Sequence, residues 1–327
     1  MQVKKVLILR FSSIGDIVLT TPVIRCASRQ LKDAEIHLAT KEAFRPVVAH
    51  NPYLHRIHTF KKEVSELYEV LKQEQYDVII DLHHNLRSLR LKRKLGVKSF
   101  SFNKLNVQKF LAVNFKMLNK LPDRHIVDRY FDAIAPLGVK NDGAGLDYFI
   151  APAEEVDIHS VFSSPTGGFV ALVAGGSYYT KKIPVNKLLE ICARVQLPII
   201  VLGGKEDKTE ADQLKAQFPQ LINGCGVYSL NQSASLIRQA SWVITSDTGL
   251  MHIASAFHKK IISIWGNTIP EFGMGPYLPL PESRMLEVKG LSCRPCSKLG
   301  YHACPLGHFK CMNAQDLSVL DELETRE

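Results

Sequence analysis

The chain has 327 residues, 46% hydrophobic and 22% charged, which leaves room for two domains with sizeable cores and excludes a low-complexity or disordered chain. Its 41 Lys and Arg against 32 Asp and Glu give a formal charge of +9, read either as a solvated surface or as attraction to an anionic partner. No zinc-finger, helix-turn-helix or RNA-binding signature accompanies the basic residues, so nucleic acid is not expected as a partner. No apolar run approaches the roughly 20 residues of a membrane span, and Arg10 and Asp16 interrupt the N-terminal stretch where a signal peptide would need an apolar core. The expectation is a cytoplasmic protein.

In chain order, Val6 to Leu9 reads as a strand buried on both faces of a parallel sheet. A turn from Phe11 to Gly15 follows, and Asp16 opens a helical stretch to about Gln30. Ile36 to Ala39 is a second strand. An amphipathic helix over Val64 to Gln73 precedes another buried strand, Val78 to Ile80, ending at Asp81. Asp128 to Leu137 reads as the last helix of this half, closed by Gly138. Between Asn141 and Gly168 breakers accumulate: Asn141-Asp142-Gly143, Gly145, Pro152, Pro165 and Gly167-Gly168. Buried strands then resume at Phe169 to Ala174, Ile199 to Leu202, Trp242 to Thr245 and Ile261 to Trp265. Helical patterns separate them at Val185 to Val195, Asp207 to Phe218 and Leu230 to Gln239. Strand and helix alternate on both sides of the break. The expected architecture is therefore α/β: two doubly wound Rossmann-like domains over residues 1–150 and 151–327, facing a central cleft.

Four turns sit at strand ends, where such folds bind ligands. The first holds Arg10, Ser12, Ser13, Gly15 and Asp16. Gly15 allows close backbone approach and the helix start favours negative charge, although Asp16 in a first helical turn is also what a helix dipole alone would select. The second is Ser246-Asp247-Thr248-Gly249-Leu250-Met251-His252. Bare amides at its helix start suit a diphosphate; the alternative is an ordinary N-cap with His252 packed in the core. The third runs from Gly175, Gly176 and Ser177 to Lys181 and Lys182, where a lysine could neutralise a departing phosphate or merely face solvent. The fourth is Glu206 after Gly203-Gly204, able to hold ribose hydroxyls or to occupy a helix start.

Of seven cysteines, four crowd one segment: Cys293, Cys296, Cys304 and Cys311, with His308 among them. That set suffices for a tetrahedral structural zinc; disulfides or unligated thiols are the alternatives.

Together, Arg10-Phe-Ser-Ser-Ile-Gly-Asp16 at the start and Ser246-Asp-Thr-Gly-Leu-Met-His252 in the second half resemble family 9 of the glycosyltransferases, the lipopolysaccharide heptosyltransferases. Asp81-Leu-His-His-Asn-Leu-Arg-Ser88 looks like that family's acceptor-side loop. The resemblance implies a GT-B enzyme that inverts configuration and requires no catalytic metal. Asp16 would be the base taking the acceptor hydroxyl's proton. Lys181, the amides of Thr248, Gly249 and Leu250, and His252 would meet the leaving diphosphate, with Gly176 and Ser177 at phosphate, Glu206 at ribose, and Tyr228 and Leu230 against the base. Arg10, Ser12, Ser13, Gly15 and Arg87 would face an anionic glycolipid acceptor, and ADP-heptose is the expected donor. The positive surface could hold the enzyme at the inner leaflet. Two departures stand out: Ile183 replaces the family's aromatic residue after the phosphate lysines, and His83, His84 and Asn85 replace Gln and Gly in the acceptor loop. A nucleotide-sugar epimerase or hydrolase, or a non-catalytic nucleotide-binding module, is the alternative reading.

Overall fold

Continuous runs of Val, Ile and Leu have no solvated face, so they must be covered on both sides, and a parallel sheet flanked by helices does this. The computed structural model describes residues 3–162 and 167–323, and Pro165 lies outside them. The chain divides into two compact units, Met1–Asn106 with Arg124–Phe149, and Val107–Asp123 with Ile150–Glu327.

The first unit holds β1 (Lys5–Leu9), β2 (Glu35–Lys41), β3 (Arg56–Phe60), β4 (Val78–Asp81) and β5 (Ser99–Ser101) in the order β3-β2-β1-β4-β5. All neighbours are parallel; Ile8 lies opposite Leu38 on one side and Ile80 on the other. Val6 to Leu9 are fully buried, as the apolar run demands. Two strands not foreseen from the sequence, β3 and β5, are edge strands of mixed polarity, without a continuous apolar run.

The helical stretch expected from Asp16 to Gln30 is two helices, α1 (Ile14–Val18) and α2 (Thr21–Gln30). Pro22, which has no N–H to donate, sits at the start of the second, where none is needed. Val64 to Gln73 is a 3-10 turn followed by α3 (Tyr68–Gln73). The basic cluster from Arg87 to Lys94 lies on a helix that the sequence reading did not identify, α4 (Leu86–Leu95), capped by Asn85 and closed by Gly96 at φ 67. A further helix, α5 (Asn106–Phe115), was likewise not foreseen; residues 107–123 group with the second unit, where Ala112 packs on Ile269 and Phe272. Helix α6 (Ile126–Ile134) ends the first unit's helices.

The second unit contains β6 (Val170–Val173), α7 (Val185–Arg194), β7 (Ile199–Leu202), α8 (Lys208–Gln217), β8 (Ile222–Asn223), α9 (Leu230–Gln239), β9 (Trp242–Ser246), α10 (Gly249–Ala256), β10 (Lys260–Trp265), β11 (Arg284–Glu287) and α11 (Lys310–Asn313). Its sheet order is β11-β10-β9-β6-β7-β8, parallel throughout. Two apolar clusters cover its opposite faces, one of them incorporating Cys311 and Met312 from the cysteine-rich tail.

Candidate functional site

In each sheet the direction of winding reverses at one point: between β1 and β4 in the first unit, and between β6 and β9 in the second. The loops leaving the carboxyl ends of those two strands part there and leave a crevice for ligand. The loops concerned are Arg10 to Asp16 and Asp81 to Ser88 in the first unit, and Gly175 to Lys182 and Ser246 to His252 in the second. Sheet order thus selects three of the four turns that residue type selected from the sequence, together with the Asp81–Ser88 loop singled out by the family resemblance; the Glu206 turn follows β7, away from the switch point.

In the first unit, Arg10 is 7% exposed and fully engaged. Its guanidinium donates to Leu82 O (2.5 Å), Ser12 O (2.9 Å) and the Tyr130 hydroxyl (3.0 Å), and its Nη2 lies 2.5 Å from Asp16 Oδ1. The other Asp16 oxygen accepts from the Ser13 N–H (3.2 Å) and the Ser13 hydroxyl (2.9 Å). Burial would raise the Asp16 pKa, but the Arg10 charge and the two Ser13 donors outweigh it and hold the carboxyl below its ordinary value. Arg10, which the resemblance places facing the acceptor, has its donors committed within the unit, and it sets the charge and aim of Asp16. Asp16 does stand in the first turn of α1, the place that helix-start preference alone would also select.

Asp81 is fully buried and organises the second loop, accepting from the His83 and His84 amides, the Ser88 hydroxyl and Lys92 Nζ (2.8 Å). Lys92 is therefore a strut of this loop, whereas Arg87 is exposed. His83 is 8% exposed; burial, then the charges of Arg10 and Lys104, push its pKa down to about 3. Its Nε2 lies 2.8 Å from the Asn85 amide nitrogen, which as donor leaves the proton on Nδ1, a buried atom with no partner among the described residues.

In the second unit, Thr248 caps α10, its hydroxyl accepting from the Met251 amide (3.4 Å). The amides of Gly249 and Leu250, at the first two helical positions, have no intrahelical acceptor to reach. Lys181 Nζ lies 2.5 Å from Asp247 Oδ2, and the Thr268 hydroxyl donates to the same oxygen at 3.0 Å. Asp247 thus anchors Lys181 beside the helix start; its own negative charge makes it a poor phosphate ligand. The neighbouring lysine is committed elsewhere, with Lys182 Nζ 2.5 Å from the buried Asp207. Both lysines are thus paired with a carboxylate, and the one whose carboxylate, Asp247, lies beside the start of α10 is Lys181.

At the end of β7 the exposed Glu206 folds back so closely over Gly204 that a Cβ there would come within 2.3 Å of its Oε2. Tyr228 and Leu230 are half-buried, and Tyr228 leans on Gly224, where a Cβ would lie 3.0 Å from the ring. Gly176 is close-packed on Lys182, Ser177 is exposed, and His252 is buried. The sequence reading missed Asn267 and Thr268. Asn267 is 1% exposed, and neither its amide nitrogen nor its oxygen finds a partner among the described residues; the Ser246 hydroxyl is in the same condition. Buried polar atoms are rarely left so, and three of them at the ends of adjacent strands mark a place where a ligand or water completes the bonding. The polar triplet Gly266-Asn267-Thr268 directly after a buried strand was the available signal.

The four tail cysteines are free thiols, and with His308 they line one pocket of about 260 Å³. Among the described residues, the tightest grouping of ligand-type side chains is a different one, His37, His58 and Glu74. There Lys5 and Arg56 already pair with Glu74, and the Tyr76 hydroxyl lies 2.9 Å from a nitrogen of each ring. It is a satisfied polar network inside the first unit.

Two doubly wound parallel units are the architecture of the GT-B glycosyltransferases. Residues 64–302 match the model of glycosyltransferase family 9 (heptosyltransferase), and the chain belongs to that family. Lipooligosaccharide heptosyltransferase 2 of Haemophilus ducreyi is 25% identical over 304 residues, covering 82% of this chain and 85% of that protein. The family 9 glycosyltransferase structure from Veillonella parvula superposes with a TM-score of 0.72 at 20% identity, covering 88% of this chain and 87% of that one. For the E. coli ADP-heptose lipopolysaccharide heptosyltransferase II the score is 0.68 at 17% identity, covering 97% and 99%.

Proposed function

We propose that the chain transfers heptose from ADP-heptose to an anionic lipid-linked saccharide of the lipopolysaccharide core, inverting the anomeric configuration and using no metal at the reacting centre. The acceptor hydroxyl oxygen attacks the anomeric carbon as the bond to the β-phosphate oxygen breaks, and Asp16 takes the hydroxyl proton. ADP departs with growing negative charge, met by Lys181 and the amides of Gly249 and Leu250. The observation carrying this reading is the state of Asp16: ionised at neutral pH, aimed by Arg10 and Ser13, and still 26% exposed at its side chain. The names of the Haemophilus and E. coli relatives supply the heptose and the lipopolysaccharide.

Work at the cytoplasmic face of the inner membrane fits two further features. No helix among the described residues is long and apolar enough to cross a membrane. Helix α5 also exposes Val107, Phe110 and Phe115 on a chain of net charge +9, the combination that suits an anionic lipid surface. The test is incubation with ADP-heptose, with and without a core-type acceptor, followed by nuclear magnetic resonance of the product. ADP release only with acceptor, an inverted anomeric centre and indifference to chelator are expected. Donor breakdown without acceptor would make the protein a hydrolase or epimerase instead.

A further inference from the structure

The cysteine-rich tail takes no part in the chemistry above, yet its positions are closely held. Cys293, Cys296 and Cys304 lie in the one long segment between β11 and α11, and Cys311 lies in α11. The Cys296 amide donates to Asn267 O (3.2 Å). Arg294, between the first two cysteines and 9% exposed, donates to Gly266 O (2.7 Å) and Thr268 O (3.0 Å) and pairs with Glu287 at 2.7 Å. Cys311 is 4% exposed within the core of the second unit. The His308 Nε2 lies 4.0 Å from Cys293 Sγ. Lys116 completes the pocket's rim, its Nζ donating to Cys293 O (3.3 Å) and Pro295 O (2.7 Å).

Four unbridged thiols lining one pocket supply the number and kind of donors that a tetrahedral site for a soft divalent ion needs. Binding would release four thiol protons and leave a tetrathiolate centre of charge −2, and Lys116 is the nearby cation to offset it. The same segment is stitched to the loop that carries Lys181. Thr180 and Tyr301 exchange two hydrogen bonds, Thr180 N–H to Tyr301 O (3.1 Å) and Tyr301 N–H to the Thr180 hydroxyl (2.8 Å). The Tyr179 ring stacks on Phe309 at 5.3 Å, and Tyr178 meets His302 at 5.7 Å. Tyr301 and His302 lie between Cys296 and Cys304; Phe309 lies between Cys304 and Cys311.

We propose that Cys293, Cys296, Cys304 and Cys311 hold one zinc ion, with His308 as an outer hydrogen-bonding partner, and that this centre braces the 178–181 loop so that Lys181 meets the donor diphosphate. The bracing half rests on the donor-site reading given above; the metal half does not.

The full chain, purified without added metal, is analysed for metal content, then stripped with a chelator under reduction and titrated with Co²⁺. One equivalent of zinc per chain, and thiolate-to-cobalt charge-transfer absorption saturating at one equivalent, are expected. Cys304→Ser, at a half-exposed position, should abolish both. Absence of metal together with absence of the cobalt bands, or an unchanged metal content in Cys304→Ser, overturns the site. ADP affinity is then measured by calorimetry on the metal-loaded and stripped protein. A loss of about tenfold on stripping is expected of a supporting shell of this kind, and re-addition of Zn²⁺ should restore it. Unchanged affinity on stripping overturns the brace while the metal stands. No ADP binding by the loaded protein would sink the donor-site reading, leaving the metal count unaffected.

Discussion

Replacing Arg10 by Met removes the cation that holds Asp16 ionised. The Nη2–Oδ1 separation is 2.5 Å, which puts the charge centres about 4 Å apart and makes their attraction about 4 kcal/mol at an effective dielectric constant of 20. The figure is an upper bound, because the Asp16 side chain is 26% exposed and water screens the pair. Since Ser13 keeps its two bonds to the carboxylate, part of the lowering should survive, and Asp16 should titrate at higher pH than in the native chain. The intact pair lowers the Asp16 pKa, so the basic form persists to more acid pH in the native enzyme. Without Arg10, the acid limb of kcat/KM should move to higher pH, while the plateau survives. The assay is ADP release between pH 4 and 8, with thermal unfolding run alongside because Arg10 also donates to Leu82 O and the Tyr130 hydroxyl. Arg10→Lys should leave the limb near its native position. A limb that stays put in the Met variant, with the fold intact, would refute Asp16 as the titrating base.

Asn267→Ala removes a buried amide with no partner among the described residues, so ADP affinity should fall by about 1–3 kcal/mol while the melting temperature holds or rises; calorimetry reads the first and thermal unfolding the second. The two adjacent lysines should separate cleanly. Lys181→Ala is expected to cut kcat/KM for the donor by about 10²-fold or more, whereas Lys182→Ala, which leaves the more deeply buried Asp207 without its cation, should act on stability instead, costing about 3 kcal/mol by urea unfolding. The network around His58 predicts acid sensitivity. Burial, and then the neighbouring His37, push the His58 pKa down to about 4. The unfolded chain therefore takes up that proton first, near pH 6.5. Stability should be full above about pH 6.5 and fall by on the order of 3 kcal/mol towards pH 4, and His58→Gln should flatten the loss over that window.

The buried strands were legible because Val6 to Leu9, Ile199 to Leu202 and their counterparts have no polar face to expose. Edge strands such as Arg56–Phe60 and Arg284–Glu287 were not, since one-sided burial leaves them polar and short. Helices were found where an apolar stripe ran the length of the element, as in Leu230–Gln239. They were missed in Leu86–Leu95, where a run of charge hides the buried Leu91 and Ser88, and in Asn106–Phe115, whose apolar side chains largely face outward. The turns of the candidate site were legible from residue type and position. What pairs with what was not: Arg10 with Asp16, Lys181 with Asp247 and Lys182 with Asp207 are long-range or packing-determined choices that neighbouring residues do not specify. Asn267 escaped because a lone Asn after a strand ordinarily means a turn; only burial without a partner sets it apart.

Comparing Asp16→Asn with the native chain, by single-turnover transfer and by ADP titration side by side, weighs the central claim most directly. The substitution keeps the side chain's size and its ability to accept from Ser13, but the amide cannot take a proton. Transfer should fall by about 10³-fold or more, with ADP affinity unchanged within a few-fold, because the proposed nucleotide contacts all lie in the second unit. Native-like transfer by the Asp16→Asn variant would contradict the assignment of the base, and with it the proposed route of the proton.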